Sequence, residues 1–227
     1  MATTFETVTT LYKNVLGRDG SATEIAYWVG RIDSGVEGIA NVVTAFTGSE
    51  EAVTNVAPIV GLYFAAFGRV PDATGLQYWV TAQRNGMDLA EIGKAFTQSE
   101  EFAQSAQRSD TSFLAGLYQN ALGRAPDASG LAYWSAQLAS GMPRDQVLSS
   151  ISTSVEGSAT VGVKAQVVLA YNGLLGRTPT TSEIAAVVEN QGQKSLVELI
   201  KSTADVLLVN PPVTPPVTPT PSAPSLE

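Results

Sequence analysis

The sequence predicts an all-α fold, a tandem array of four related helical repeats followed by a disordered Pro/Thr-rich tail. Three observations support this prediction. A sequence motif that begins with Gly-Arg recurs four times, at spacings of 51, 55 and 53 residues. Its copies begin at Gly17-Arg18, Gly68-Arg69, Gly123-Arg124 and Gly176-Arg177. Apolar residues recur at helical spacing on both sides of each motif. The alternation typical of strands is nowhere sustained, and a period of this length indicates a repeated supersecondary unit.

The first helix of each repeat is predicted to end at the glycine of Gly-Arg. A glycine can take the positive φ that ends a helix, and the arginine then meets the last carbonyls and the negative end of the helix dipole. The predicted apolar faces of these helices contain Leu11, Tyr12, Val15 and Leu16; Leu62, Tyr63, Ala66 and Phe67; Leu117, Tyr118, Ala121 and Leu122; and Ala170, Tyr171, Leu174 and Leu175.

The second helix of each repeat begins at a predicted N-cap residue. Ser21 and Thr180 complete capping boxes with Glu24 and Glu183, whereas repeats two and three carry glycine at that position. The remaining predicted N-caps are Asp72 and Asp127, and these helices are expected to end near Gly35, Gly86, Gly141 and Gly192. Their apolar stripe contains Trp28, Trp79 and Trp134, which we expect in the core.

A third helix is predicted to point its apolar residues inward in every repeat. These residues are Ile39, Val42, Val43 and Phe46; Leu89, Ile92 and Phe96; Val147, Leu148 and Ile151; and Leu196, Leu199 and Ile200. The segments 47–51 and 97–101 then indicate one more capped helix start, with carboxylates in the first turn. The sequence therefore predicts about three helices per repeat and a short capped one.

The predicted boundaries place repeats at 1–55, 56–108, 109–160 and 161–209, the last degenerate because Ala186 and Val187 replace the Tyr-Trp pair. Residues 210–227 are a linker rich in proline and threonine. The final Leu226-Glu227 resembles a cloning scar, so we expect the natural protein to continue past Ser225.

Composition narrows the class of function. The 227 residues contain 13 Lys and Arg against 21 Asp and Glu, a formal charge of −8 that disfavours nucleic-acid binding. The absence of cysteine and histidine removes thiolate chemistry and the commonest general base. No apolar run of transmembrane length and no N-terminal signal peptide occurs. Enzyme motifs are missing as well, so we expect a non-enzyme without catalytic residues or cofactors.

The stretches 68–79 and 123–134, of the form Gly-Arg-x-Pro-Asp-Ala-[Ser/Thr]-Gly-Leu-x-Tyr-Trp, resemble the bacterial DUF4214 repeat. The resemblance extends from residue 5 to about 207 and is weakest in repeat four. It implies a helical module of unknown chemistry in a large secreted or surface protein, of S-layer-like or RTX type. It also implies an extracellular or cell-surface location reached by type I secretion, and it brings no catalytic residues.

Two sets of residues remain as ligand-binding candidates. The arginines cap a helix C-terminus or form a salt bridge within the repeat, or alternatively they bind an anionic saccharide through planar contacts. The tyrosines lie beside the apolar stripe, where an aromatic ring with a polar tip can line a groove. The candidates are Arg18, Arg69, Arg124, Arg177, Tyr27, Tyr78 and Tyr133. The acidic pairs Glu50-Glu51 and Glu100-Glu101 are expected to complement helix N-termini, and calcium has no motif here.

The expected function is that of a non-enzymatic N-terminal module that anchors a larger secreted protein to the cell envelope. Its expected partner is surface polysaccharide or lipopolysaccharide, contacted weakly at several repeats at once. Self-assembly, as in an S-layer, is the first alternative. A protein-binding adhesin or scaffold is the second.

Overall fold

The structure, a computed structural model, describes residues 3–104 and 109–190. Repeat one contains α1 (Thr4–Leu16), α2 (Ala22–Asp33), α3 (Ile39–Thr47) and a π-helix (Ala52–Val56). Repeat two contains α4 (Ala57–Phe67), α5 (Ala73–Arg84), α6 (Leu89–Thr97) and α7 (Glu100–Gln104). They are followed by α8 (Asp110–Leu122), α9 (Ala128–Ala139), α10 (Arg144–Ser152), α11 (Val155–Leu175) and α12 (Thr181–Asn190). Every regular element in the described ranges is helical, which confirms the predicted all-α repeat fold.

The predicted helix ends are confirmed. The four glycines of the Gly-Arg motifs all have positive φ, between 62° and 71°. Ser21 forms its capping box with Glu24, since each residue's backbone N–H donates to the other's side chain. Thr180 and Glu183 exchange the same two bonds. In repeats two and three the carboxylates of Asp72 and Asp127 accept from the backbone three residues on, at 2.7 and 2.8 Å.

In repeats two and three the tyrosine of the first helix lies directly against the glycine that stands three residues after the aspartate cap. A Cβ at Gly130 would lie 2.5 Å from the Tyr118 hydroxyl oxygen. A Cβ at Gly75 would lie 2.6 Å from the corresponding atom of Tyr63. The tyrosine therefore packs directly on the start of the second helix in these two repeats, whereas repeats one and four carry Glu24 and Glu183 at the equivalent position.

The chain divides into two compact units, and the division falls within α11. In the described residues the first unit contains 3–56 together with 164–190. Asn14 and Asn172 close this unit, because each side-chain amide donates to the other residue's backbone carbonyl, at 3.0 and 2.7 Å. Gly173 allows the close approach, since a Cβ there would lie 2.6 Å from Val15.

The second unit is formed by residues 57–163. Helix α4 packs on α8, and α6 packs on α10. The Asn120 side chain donates to the Ala65 carbonyl oxygen at 3.4 Å. Phe96 centres an aromatic cluster, with its ring 4.8 Å from that of Tyr63 and 5.3 Å from that of Trp79.

Repeat one thus shares a unit with repeat four, and repeat two shares a unit with repeat three. Both pairings involve the position four residues before the repeated arginine, occupied by Asn14 and Gly173 in one unit. Ala65 and Asn120 occupy it in the other. The first helices of the repeats therefore pair in a similar way in both units.

Some side chains differ from the sequence prediction. Ile39 is 37% exposed, because it is the first residue of α3, before that helix reaches the core. Trp79 is buried, whereas Trp28 and Trp134 are half-buried. Trp134 is only half-buried because α9 packs mainly on α8, and no residue of α9 is fully buried. The predictions for Gly192, Leu196, Leu199, Ile200 and the tail lie outside the described residues.

Candidate functional site

The repeated arginine is held at the end of the first helix by carboxylates from its own repeat. Arg18 donates from Nε and Nη2 to the two carboxylate oxygens of Glu51, at 2.8 and 3.0 Å. It also donates from Nη1 and Nη2 to Glu24, at 3.1 and 2.8 Å. Its guanidinium carbon lies 4.9 Å from the centre of the Tyr12 ring. We call this arrangement the arginine clasp.

Repeats two and three contain the same clasp with one hydrogen-bonded glutamate each, and in repeat three Asp127 also lies 3.5 Å from Nη1 of Arg124. Arg69 bonds both oxygens of Glu101, at 2.5 and 2.8 Å. Arg124 bonds both oxygens of Glu156, at 2.6 and 2.8 Å. Each guanidinium also donates to the carbonyl of the next residue and lies over a tyrosine of its first helix. Planar two-point contacts of this kind are specific to arginine.

Repeat four has a clasp formed with its capping-box glutamate. Arg177 donates from Nη1 and Nη2 to Glu183, at 3.0 and 2.8 Å, and from Nη1 to the Thr178 carbonyl. Its guanidinium lies 5.1 Å from the Tyr171 ring centre. All four predicted arginines are thus engaged within the chain, and a bound anion would have to compete with or add to these carboxylates.

The clasp connects the end of each first helix to the segment that follows the third helix. Ser49, Ser99 and Ser154 open that segment, and each side chain accepts from a backbone N–H three residues on. The clasp glutamate comes two residues after this serine. The separation of arginine and glutamate is 33 residues in repeat one and 32 in repeats two and three. This nearly constant spacing is the signal in the sequence that identifies the pair.

In the clasps of repeats one and four, the capping-box glutamate has a lowered pKa, which favours its ionised form. Hydrogen bonds from Arg18, and then from the backbone of Ser21, lower the pKa of Glu24 to about 2. Glu51 and Glu24 in turn raise the pKa of Arg18 above its usual value. Arg177 likewise lowers the pKa of Glu183. Titration near neutral pH therefore does not open these pairs.

The three candidate tyrosines occupy equivalent places on the second helices and are exposed. Tyr27, Tyr78 and Tyr133 are 55%, 45% and 56% exposed. Each ring meets the following tryptophan edge to face, with centroids 4.8 to 5.1 Å apart and interplanar angles of 78° to 84°. Such contacts add about 0.5–1.5 kcal/mol to an aromatic pair. The tryptophan thus orients a tyrosine ring that remains open to solvent.

The predicted acidic pairs divide into different roles. Glu51 and Glu101 belong to clasps, while Glu50 and Glu100 are exposed at the starts of the same segments. Within residues 3–104 and 109–190, no three acidic, histidine or cysteine side chains are grouped to hold a metal ion. Helices in this part of the chain are also too short or too polar to cross a membrane.

The fold and the clasps define a helical repeat protein in which a similar arginine contact recurs in each repeat. The family model for DUF4214, a domain of unknown function, matches residues 2–56, 59–106 and 93–161. The chain belongs to this family, as its Gly-Arg motifs indicated. No curated protein and no solved structure matches it.

Proposed function

We propose that this chain is a non-enzymatic module of a larger protein exported by type I secretion to the cell surface. In this proposal the module holds that protein on the envelope by binding surface polysaccharide or lipopolysaccharide. The observation that supports it is the set of exposed tyrosines, Tyr27, Tyr78 and Tyr133, each fixed by its neighbouring tryptophan.

A fixed, exposed aromatic ring suits a sugar because it offers an apolar face and a hydroxyl that can hydrogen-bond. The ring is already oriented before binding, so little rotamer freedom is lost when a ligand stacks on it. A single contact of this kind is weak, but a polymer can occupy several of them at once. The arginines contribute less in this proposal, because Arg18, Arg69 and Arg124 already bond a glutamate through Nε.

Retention of the purified chain by intact cells and by extracted surface glycan of the source organism tests this proposal, with and without calcium. The variant carrying Tyr27→Ala, Tyr78→Ala and Tyr133→Ala is compared with the unchanged chain. If each ring contributes about 1 kcal/mol, losing all three lowers the apparent affinity about a hundredfold.

Val36→Ala combined with Val53→Ala is the matched control, because these exposed apolar side chains, 61% and 52% accessible, lie outside the second helices that carry the tyrosines. We expect this control to bind like the unchanged chain. Absence of retention by the unchanged chain would reject the anchoring function. Full retention of the triple variant would reject the role of the tyrosines in it.

Self-assembly is the second candidate, supported by the way the repeats pair. The first helices meet at neighbouring repeat positions in the two units, where Asn14 bonds Asn172 in one and Asn120 bonds Ala65 in the other. A surface that pairs repeats within one chain can also pair repeats of neighbouring chains. Sedimentation over a range of concentrations without glycan tests this. Oligomers that grow with concentration support it, and a monomer throughout contradicts it.

A further inference from the structure

The end of α1 presents a backbone carbonyl whose hydrogen bond comes from another repeat. In a longer helix, the Asn14 carbonyl oxygen would accept from the backbone N–H of Arg18, four residues on. That N–H instead reaches back to the Tyr12 carbonyl at 3.2 Å, because Gly17 ends the helix in the left-handed conformation. The Asn172 side chain donates to the Asn14 carbonyl at 2.7 Å. Repeat four thus completes the hydrogen bonding at the end of the first helix of repeat one.

The residue after Asn172 provides the space for this contact. Gly173 lies against α1, and a Cβ there would lie 2.6 Å from the Val15 side chain and 2.9 Å from that of Leu11. The Asn14 side chain donates in return to the Asn172 carbonyl oxygen, at 3.0 Å. The dipeptide Asn172-Gly173 therefore supplies a hydrogen-bond donor and room for a close approach at adjacent positions.

The other repeats differ from repeat four at these two positions, which lie five and four residues before the repeated arginine. Repeat two has Phe64-Ala65 there, and repeat three has Gln119-Asn120. Repeat two therefore has no side-chain amide at either position. Repeat three has an asparagine where Gly173 meets Val15, so its larger side chain would clash with α1 in the same arrangement. Of these three repeats, repeat four offers both the donor and the space to α1.

We propose that Asn172-Gly173 is the recognition element by which repeat one selects repeat four as its partner within the chain. Asn172 is 3% exposed, so a partner helix that does not match its hydrogen bonds leaves a buried amide unsatisfied, which is costly. Asparagines at helix–helix contacts set which helices pair, even where they add little to stability. This inference goes beyond the proposed function and depends on neither glycan binding nor self-assembly.

The double variant Asn14→Leu with Asn172→Leu separates selection from stability. Leucine has the same number of side-chain heavy atoms as asparagine, branched at the same carbon, but it forms no hydrogen bonds. Replacing both partners by apolar groups of similar shape costs little stability, so we expect a urea midpoint close to that of the unchanged chain. In ¹H–¹⁵N NMR spectra, α1 should change from one set of backbone amide cross-peaks to several, because repeat one then pairs in more than one way.

Asn120→Leu is the matched control. Asn120 also donates to a first-helix carbonyl, that of Ala65 at 3.4 Å, but in the second unit. This variant should keep a single set of cross-peaks for α1. Asn172→Ala is the milder test, because it removes only the donor to the Asn14 carbonyl. It should give a second set of cross-peaks for α1 and speed hydrogen exchange of α1 amides about tenfold, as one unsatisfied polar group implies.

A single set of cross-peaks for α1 in the double leucine variant would overturn the proposal, whether or not its urea midpoint falls. The apolar faces of the helices would then select the partner without the asparagines. If the double variant does not fold, Asn172→Ala decides. A single set of cross-peaks for α1 in that variant, with hydrogen exchange as in the unchanged chain, would also overturn the proposal.

Discussion

Replacing Glu101 by the uncharged glutamine measures how much one arginine clasp contributes to the free energy of unfolding. In Glu101→Gln the Arg69 guanidinium keeps its place over the Tyr63 ring, but it loses the charge of the carboxylate that it bonds at 2.5 and 2.8 Å. The substitution conserves volume. A change in stability therefore reports on the charged pair rather than on packing.

The expected magnitude follows from exposure. The side chains of Arg69 and Glu101 are 35% and 32% exposed, so the pair is intermediate between a buried and a surface ion pair. Hydrogen bonds to charged groups contribute about 1.5–3 kcal/mol, and fully exposed pairs about 0.2–1 kcal/mol. We expect Glu101→Gln to cost about 1–2 kcal/mol, with a coupling energy to Arg69 of about 1 kcal/mol.

A double-mutant cycle measured by urea denaturation near neutral pH gives this coupling directly. The cycle uses Arg69→Gln, Glu101→Gln and the double variant. The matched cycle on Arg124 and Glu156, in the same unit but 41% and 48% exposed, should give a smaller coupling energy than the cycle on Arg69 and Glu101. A coupling near zero at Arg69, or a larger one at Arg124, would refute the argument from exposure.

Three further predictions concern packing and pH. Gly173→Ala should destabilise the chain by about 1–3 kcal/mol in urea, because its Cβ would lie 2.6 Å from Val15; Gly162→Ala, in the same helix with nothing within 4 Å, should instead be neutral or stabilising. Burial raises the pKa of Tyr63 above its usual 10.0, so its contribution to stability is fully present below pH 10.0 and is lost at higher pH. Tyr63→Phe should flatten this alkaline loss in pH-dependent unfolding, and an unchanged slope would count against it. Arg18 lowers the pKa of Glu24 from 4.5 to about 2, so this contribution is present above pH 4.5 and is lost as the pH falls towards 2. Glu24→Gln should reduce the acid-induced loss, and acid titration of unfolding with an unaltered slope would contradict the assignment.

The helices and their ends could be predicted from sequence because the signals are local. Capping residues such as Ser21 and Asp72 lie within three residues of the atoms they bond. The glycine before each arginine ends its helix through a conformation that other residues rarely adopt. Local helix propensity and the apolar pattern agree in each repeat. Because they agree, this fold can be predicted from a single sequence.

Predicting the clasps would have required a signal that links residues far apart in the sequence. The sequence indicated a salt bridge for the arginines and helix-end roles for the glutamates, but it did not join the two sets. Arg69 and Glu101 lie 32 residues apart, and no local rule links them. The pairing of repeat one with repeat four was harder still, because it depends on which first helices fit together. The contact of Asn14 with Asn172 spans 158 residues.

Because the chain is synthesised from its N-terminal side, the contact between Asn14 and Asn172 affects the order in which the two units fold. Residues 57–163 are contiguous in sequence and form one compact unit, so this unit can fold as the chain emerges from the ribosome. Repeat one is made before repeat four, so the contacts of α1 with Asn172 and Gly173 must wait until that later segment has been synthesised. Contacts between distant residues also form slowly, because closing a long loop costs entropy first. We therefore expect repeat one to complete its native packing late, when the segment around Asn172 has emerged.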